Sequence, residues 1–134
     1  MSIQNRRVLV VDDEEILRSM IRDVLSLEGC QVETASSGEE ALDRLTKGDA
    51  FDLIVTDNNM PGIQGLDVLA HVRKTMPDLP VIIMTAYGSI DVSLRAHELG
   101  ASGYLLKPFD DIEVIVQEVS RVLARAEKAR PSQE

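Results

Sequence analysis

Short runs of aliphatic and β-branched residues alternate along this chain with longer stretches whose apolar residues recur at helical spacing. That alternation limits the fold more than any other feature. Val8-Leu9-Val10-Val11 is continuously apolar, as expected of a strand buried on both faces. Leu53-Ile54-Val55, Val81-Ile82-Ile83-Met84 and Gly103-Tyr104-Leu105-Leu106 repeat the pattern, and residues 31–35 read as a less buried strand around Val32 and Thr34. Between the first two runs, residues 14–28 carry Ile16, Leu17, Met20, Ile21, Val24, Leu25 and Leu27, with Gly29 placed as a helix stop. Ser37, with Glu40 three residues on, reads as the capped start of a second helix that Gly48 ends. Further helices are predicted over about 65–74, 89–99 and 111–128, the last capped by Asp110.

Five strands alternating with five helices in 134 residues predict one α/β domain with a parallel sheet covered on both faces. The flavodoxin-like (βα)5 order 2-1-3-4-5 suits this count. The domain is expected to span residues 1–126, with 127–134 a C-terminal tail or the start of a linker.

A net charge of −9 without a basic cluster argues against direct nucleic-acid binding, because phosphate contacts need Lys and Arg. Anionic membranes are disfavoured for the same reason. No apolar stretch approaches the ~20 residues that span a bilayer, and the N-terminal residues do not read as a signal peptide. The single cysteine, Cys30, leaves no internal disulfide and fits a reducing compartment, so a cytoplasmic location is expected.

In open parallel sheets, ligands bind beyond the carboxyl ends of the strands, near the point where strand order reverses. Here the first strand delivers Asp12 and Asp13, the third Asp57, the fourth Thr85 and the fifth Lys107. Two like charges about 5 Å apart repel by roughly 3 kcal/mol at an effective dielectric near 20. A divalent cation removes that cost. All-oxygen ligation suits magnesium, and the lack of His or Cys at these strand ends argues against zinc. A nucleotide site would need a glycine-rich turn after the first strand, whereas Asp12-Asp13-Glu14-Glu15 repels anions.

These residues resemble the receiver domains of two-component response regulators. The resemblance covers about residues 6–125. It rests on Val10-Val11-Asp12-Asp13-Glu14, on Asp57 with Met60-Pro61-Gly62 and Gly65, on Met84-Thr85-Ala86, and on Tyr104-Leu105-Leu106-Lys107-Pro108-Phe109. It implies a signalling switch, not an ordinary enzyme, that promotes its own phosphorylation and dephosphorylation. Asp57 would be the phosphoacceptor, loaded from a sensor histidine kinase or phosphotransfer protein in a Mg2+-dependent reaction. Asp13 would ligate the metal directly, Asp12 largely through water, and the Asn59 backbone carbonyl would join them. Lys107 would pair with the acyl phosphate, after which a cis peptide bond to Pro108 is expected. Thr85 would bond a phosphoryl oxygen, helped by the N–H groups that follow Asp57 and Thr85. Thr85 and an inward-turning Tyr104 would form the switch, remodelling the surface of the fourth helix, fifth strand and fifth helix for a partner, an output domain or a second copy. Asn58 departs from the pattern, because the residue after the acceptor is usually apolar. Tyr87 lies where the family varies the side chains that tune hydrolysis.

Simpler readings accompany each assignment. Asp12-Asp13 could cap a helix, Lys107 could be a solvated loop lysine, Thr85 could end a strand, and Tyr104 could be strand packing. His71 and His97 read as surface helix residues, Cys30 as packing at a strand start, and Met60 as local loop packing. In the last helix, Ile112, Ile115, Val119, Val122, Ala126 and Ala129 follow the spacing of a dimerising seam, while Ile112, Ile115, Val116, Val119 and Leu123 would make a core face. Two rival functions are a magnesium-dependent aspartyl phosphohydrolase and a static binding module built on the same fold.

Overall fold

Each apolar run becomes a strand and each helical stretch a helix in the computed structural model, which describes residues 3–86, 89–109 and 111–129. The order is β1 (Arg7–Val11), α1 (Glu15–Leu27), β2 (Gln31–Ala35), α2 (Gly38–Thr46), β3 (Leu53–Asp57), α3 (Gly65–Thr75), β4 (Val81–Ala86), α4 (Ile90–Glu98), β5 (Gly103–Lys107) and α5 (Glu113–Ala129). The strands form one parallel sheet in the order β2-β1-β3-β4-β5.

The period of two along a strand divides the core. Val8 and Val10 face one way, with Val55, Ile82, Met84 and Leu105, toward Ile21 and Leu25 of α1 and Ile115 and Val119 of α5. Leu9 and Val11 face the other, with Ile54 and Ile83, toward Ala41 and Leu45 of α2, Leu69 and Val72 of α3 and Ala96 of α4. Crossovers of constant hand explain the division. The chain steps from β1 outward to β2, then reverses across the sheet, so α1 lies on one face and α2, α3 and α4 on the other.

Local signals act as the residue types require. Gly29, at φ 93°, ends α1 in a conformation that costs glycine least. The Ser37 side chain accepts the Glu40 N–H at 3.0 Å. The returning Glu40 carboxylate bonds the Ser36 N–H instead, one residue before the usual capping-box partner. The expected Asp110 cap lies outside the described residues, and α5 starts two residues later than its apolar pattern suggests. There, Asp111 Oδ1 accepts the Glu113 N–H at 2.9 Å.

Three other apolar assignments need correction. Ile16 and Leu27 fit the helical pattern of α1, yet they are 88% and 86% exposed, because the sheet covers only the arc carrying Ile21 and Leu25. Ile112 precedes α5 and is exposed, and Val122 takes the place expected for it in the core. The seam residues Ile115, Val119 and Val122 are consumed against the sheet. The helix spans the 126/127 boundary anticipated above. His97 is exposed, His71 half-buried, and Cys30 buried, with its Sγ 3.3 Å from the Ile3 carbonyl oxygen. Met60 is buried against the α2–α4 side of the core.

Candidate functional site

Parallel pairing brings the carboxyl ends of all five strands to one edge. Asp12 directly follows β1, Asp57 closes β3, Thr85 is the penultimate residue of β4, and Lys107 closes β5. Asp12, Asp57 and Thr85 are fully or almost fully buried, while Asp13 is exposed. One carboxylate oxygen from each of Asp12, Asp13 and Asp57 lies within 4.8 Å of the others.

Lys107 reaches this cluster from two strands away. Its Nζ donates to Asp12 Oδ2 at 3.0 Å and lies 3.0 Å from Asp57 Oδ1 and 3.5 Å from Glu14 Oε1. The approach to Asp57 has ion-pair distance without hydrogen-bond alignment, so Asp57 Oδ1 is a buried oxygen without a hydrogen-bond partner among the described residues. Thr85 Oγ1 is in the same condition. Burial pushes the Asp57 carboxyl above its ordinary value; Lys107 pulls it down, and Asp12 and Asp13 push it up. Burial would lower Lys107, but Asp12 and Asp57 outweigh it and raise the ammonium. The peptide bond from Lys107 to Pro108 is cis.

Asp12 makes two side-chain bonds at this edge. Its Oδ1 accepts the Glu14 N–H at 2.9 Å, a turn bond at the entrance to α1, while Oδ2 holds Lys107. Arg18 donates to the Asp12 carbonyl at 2.7 Å and fixes the same turn. The N–H that directly follows Asp57, expected to help hold a phosphoryl oxygen, is instead used within the sheet: the Asn58 N–H donates to the Met84 carbonyl at 3.0 Å. Tyr104 packs its ring against the core on the α2–α4 side, with its hydroxyl buried and its pKa raised by that burial. Glu118 of α5 accepts the Tyr104 N–H at 2.9 Å. Tyr87 lies outside the described residues.

Three contacts escape a reading of the sequence alone. Glu14 approaches Lys107, Asn58 Oδ1 accepts the Leu66 N–H at 3.0 Å, and Gly65 packs on the Asp57 peptide. Glu14 and Gly65 stand in the motifs that carry the resemblance and Asn58 departs from its pattern, but none of these signals names the partner.

Residues 8–120 match the response regulator receiver domain family. The chain is 38% identical over 112 residues to sporulation initiation phosphotransferase F of Bacillus subtilis, covering 84% of this chain and 90% of that protein. It is 42% identical over 104 residues to the response regulator protein FleR of Pseudomonas aeruginosa, covering 78% of this chain but 22% of FleR. A receiver domain structure from Clostridium thermocellum superposes with a TM-score of 0.85 at 32% identity, covering 93% of this chain and 99% of that one. NtrX of Brucella abortus superposes with a TM-score of 0.86 at 29% identity, covering 93% of this chain and 28% of NtrX. With this fold, this strand-end cluster and these likenesses, the chain belongs to the response regulator receiver domains of two-component systems.

Proposed function

We propose that this receiver domain is a phosphorylation-dependent switch that takes a phosphoryl group onto Asp57 from a sensor histidine kinase or phosphotransfer protein, with Mg2+ bound beside it. The observation that carries this reading is the convergence of Asp12, Asp13 and Asp57 within 4.8 Å, with the Lys107 ammonium 3.0 Å from Asp57 Oδ1. Oxygen donors without His or Cys suit a hard divalent cation, and Asp57 Oδ1, buried beside Lys107 without an aligned hydrogen bond, fits a ligand there. Asp13 would hold the ion directly, Asp12 largely through water, and Asp57 and the Asn59 carbonyl would complete the protein's share. When bound, it offsets negative charge on the phosphoryl oxygens.

An Asp57 carboxylate oxygen attacks phosphorus in line. A P–O bond forms as the P–N bond to the donor histidine breaks, and the imidazole keeps that electron pair. The work is positioning and charge stabilisation. Lys107 faces the equatorial oxygens, and Thr85 Oγ1 and the Asn59 N–H donate to them. Water later cleaves the acyl phosphate and restores Asp57, so the state is temporary.

The donor must cover the face that leads to Asp57. An apolar groove lined by Ile16, Leu17, Met20, Pro108 and Phe109 shares Lys107 and Glu14 with the acidic site, which suits a helical phosphodonor protein whose histidine must reach the acceptor. The exposure of Ile16 then has a use. The new group carries about −1.5 to −2 charges in place of the carboxylate's single one. Thr85 moves toward it, and Tyr104, whose hydroxyl is already buried, turns further inward into the space that Thr85 vacates. Exposed Ile90, Leu94, Leu106 and Val114 then supply a changed α4–β5–α5 face for a partner, an output domain beyond residues 127–134, or a second copy. The domain acts in the cytoplasm, where its kinase partner presents phosphohistidine.

The test is intact mass after incubation with acetyl phosphate and magnesium. One added phosphoryl group on wild type and none on Asp57→Asn is expected. No incorporation would favour the static module, and continuous turnover of a small phosphate ester would favour the phosphohydrolase.

A further inference from the structure

Asn58 directly follows the acceptor and is 3% exposed. A buried amide at such a place needs partners, and Asn58 is held at three points. Its N–H donates to the Met84 carbonyl at 3.0 Å, and its own carbonyl accepts the Met60 N–H at 3.0 Å. Its side-chain Oδ1 accepts the Leu66 N–H at 3.0 Å. The bond to Met60 closes a tight turn centred on Asn59.

Leu66 is the second residue of α3, and the first N–H groups of any helix lack partners within it. The helix's own capping pair serves other groups. Gln64 N–H donates to Asp67 Oδ2 at 2.9 Å, and the Asp67 N–H donates to the Gln64 backbone carbonyl at 3.0 Å. The Leu66 N–H is met from the end of β3 instead. The helix also rests directly on the acceptor's peptide: a Cβ at Gly65 would lie 2.5 Å from the Asp57 carbonyl oxygen and 3.1 Å from Asn58 Cα. An apolar side chain at position 58 could fill the same space but could not accept the Leu66 N–H.

We infer that Asn58 is a positioning residue, whose side-chain amide ties the end of β3 to the first turn of α3 and thereby sets the Asn59 carbonyl and N–H toward the acidic cluster. This rests on the reading of Asp57 as phosphoacceptor and of the Asn59 carbonyl as a magnesium ligand. Groups that orient a metal ligand typically change affinity by about 10-fold or more when removed.

The test compares wild type with Asn58→Leu, close in volume and without an acceptor, and Asn58→Ser, too short to reach Leu66. Magnesium dissociation constants come from amide NMR titrations, and the tie itself from hydrogen exchange at the Leu66 amide. Both variants are expected to speed Leu66 exchange and to raise the magnesium dissociation constant by about 10-fold, because both lose the bond although their volumes change differently. Wild-type magnesium affinity in a folded variant that has lost Leu66 protection overturns the inference, leaving Asn58 as packing. If Asn58→Leu does not fold, Asn58→Ser decides by the same criterion. Wild type that binds no magnesium overturns the reading of the site itself, and this inference with it.

Discussion

Replacing Asp57 by Asn isolates the electrostatic cost of the site. At an effective dielectric near 20, Lys107 at 3.0 Å attracts the carboxylate by about 5.5 kcal/mol. An Asp12 oxygen within 4.8 Å opposes it by about 3.5 kcal/mol. Exposed Asp13 adds a screened repulsion of about 1 kcal/mol. These nearly cancel, which leaves burial to decide, and the Asp57 pKa is accordingly raised. The effective cost of burying an ion runs to several kcal/mol. Asn keeps the shape and removes the charge, so a gain on the order of 2 kcal/mol is expected in metal-free buffer at neutral pH, or about 5–8 °C in Tm for a domain of this size. The sign in pH follows from linkage. A folded pKa above the ordinary 3.8 means that the native state holds its proton more tightly than the unfolded chain. Stability from this group is therefore full below 3.8 and lost as pH rises through the folded value. The advantage of Asp57→Asn should be largest at neutral pH and should close toward acid. Magnesium should then raise wild type more than the variant and narrow the gap. Thermal melts followed by circular dichroism in chelator, from acid to neutral pH, measure all of this. A variant no more stable than wild type at neutral pH, or a gap that widens toward acid, refutes the reasoning.

Thr85 Oγ1 is buried without a hydrogen-bond partner among the described residues, so Thr85→Val is expected to leave stability unchanged or raise it by about 1 kcal/mol while slowing labelling by acetyl phosphate; melting and labelling rates on the same samples check both. Glu118→Ala removes the acceptor of the Tyr104 N–H and should cost about 1–3 kcal/mol in urea unfolding. Burial would raise Glu118, but Arg121 and the Tyr104 N–H outweigh it and hold the carboxyl below its ordinary 4.5, so its contribution is present above 4.5 and lost as pH falls through the folded value. Glu118→Gln, which keeps an acceptor, should lose less and should not show that acid-side loss.

The fold was legible because its signals are local and repeated. Val8–Val11 and Val81–Met84 are too apolar for any place but a sheet covered on both faces, and the short connections leave few ways to order parallel strands. The site was legible for a related reason. Asp12, Asp57 and Lys107 stand at or immediately beyond strand ends, and parallel pairing collects strand ends on one edge. What escaped depends on distances between elements. Periodicity counts Ile16 and Leu27 as core candidates, but only the placement of α1 decides which arc meets the sheet. Ile112 fits the pattern of α5 and yet precedes the helix, whose start is set by the Asp111 turn. Asn58 could be flagged as unusual but not explained, because its partner, Leu66, is brought to it by the loop that returns α3 to the end of β3.

Counting charge at the strand ends shows why so few residue types could serve there. Asp12, Asp13 and Asp57 against Lys107 leave two uncancelled negative charges, with the Glu14 carboxylate 3.5 Å from the same ammonium. One divalent cation would bring the trio and the lysine to neutrality. Phosphorylation would then replace one carboxylate charge with nearly two on the phosphoryl group, leaving the loaded site about one charge short with the cation and about three short without it. Lysine alone is therefore too little. Burial, with Asp12 and Asp13 adding to it against the pull of Lys107, raises the Asp57 pKa in the metal-free protein, so the cost that weakens the resting domain is one that a bound cation relieves. A neutral side chain at exposed position 13 should stabilise the metal-free fold while weakening its grip on magnesium. Opposite signs for those two effects are what a site built on charge imbalance requires, whereas a neutral residue at position 12 also loses the bonds to Lys107 and the Glu14 N–H and should destabilise the fold.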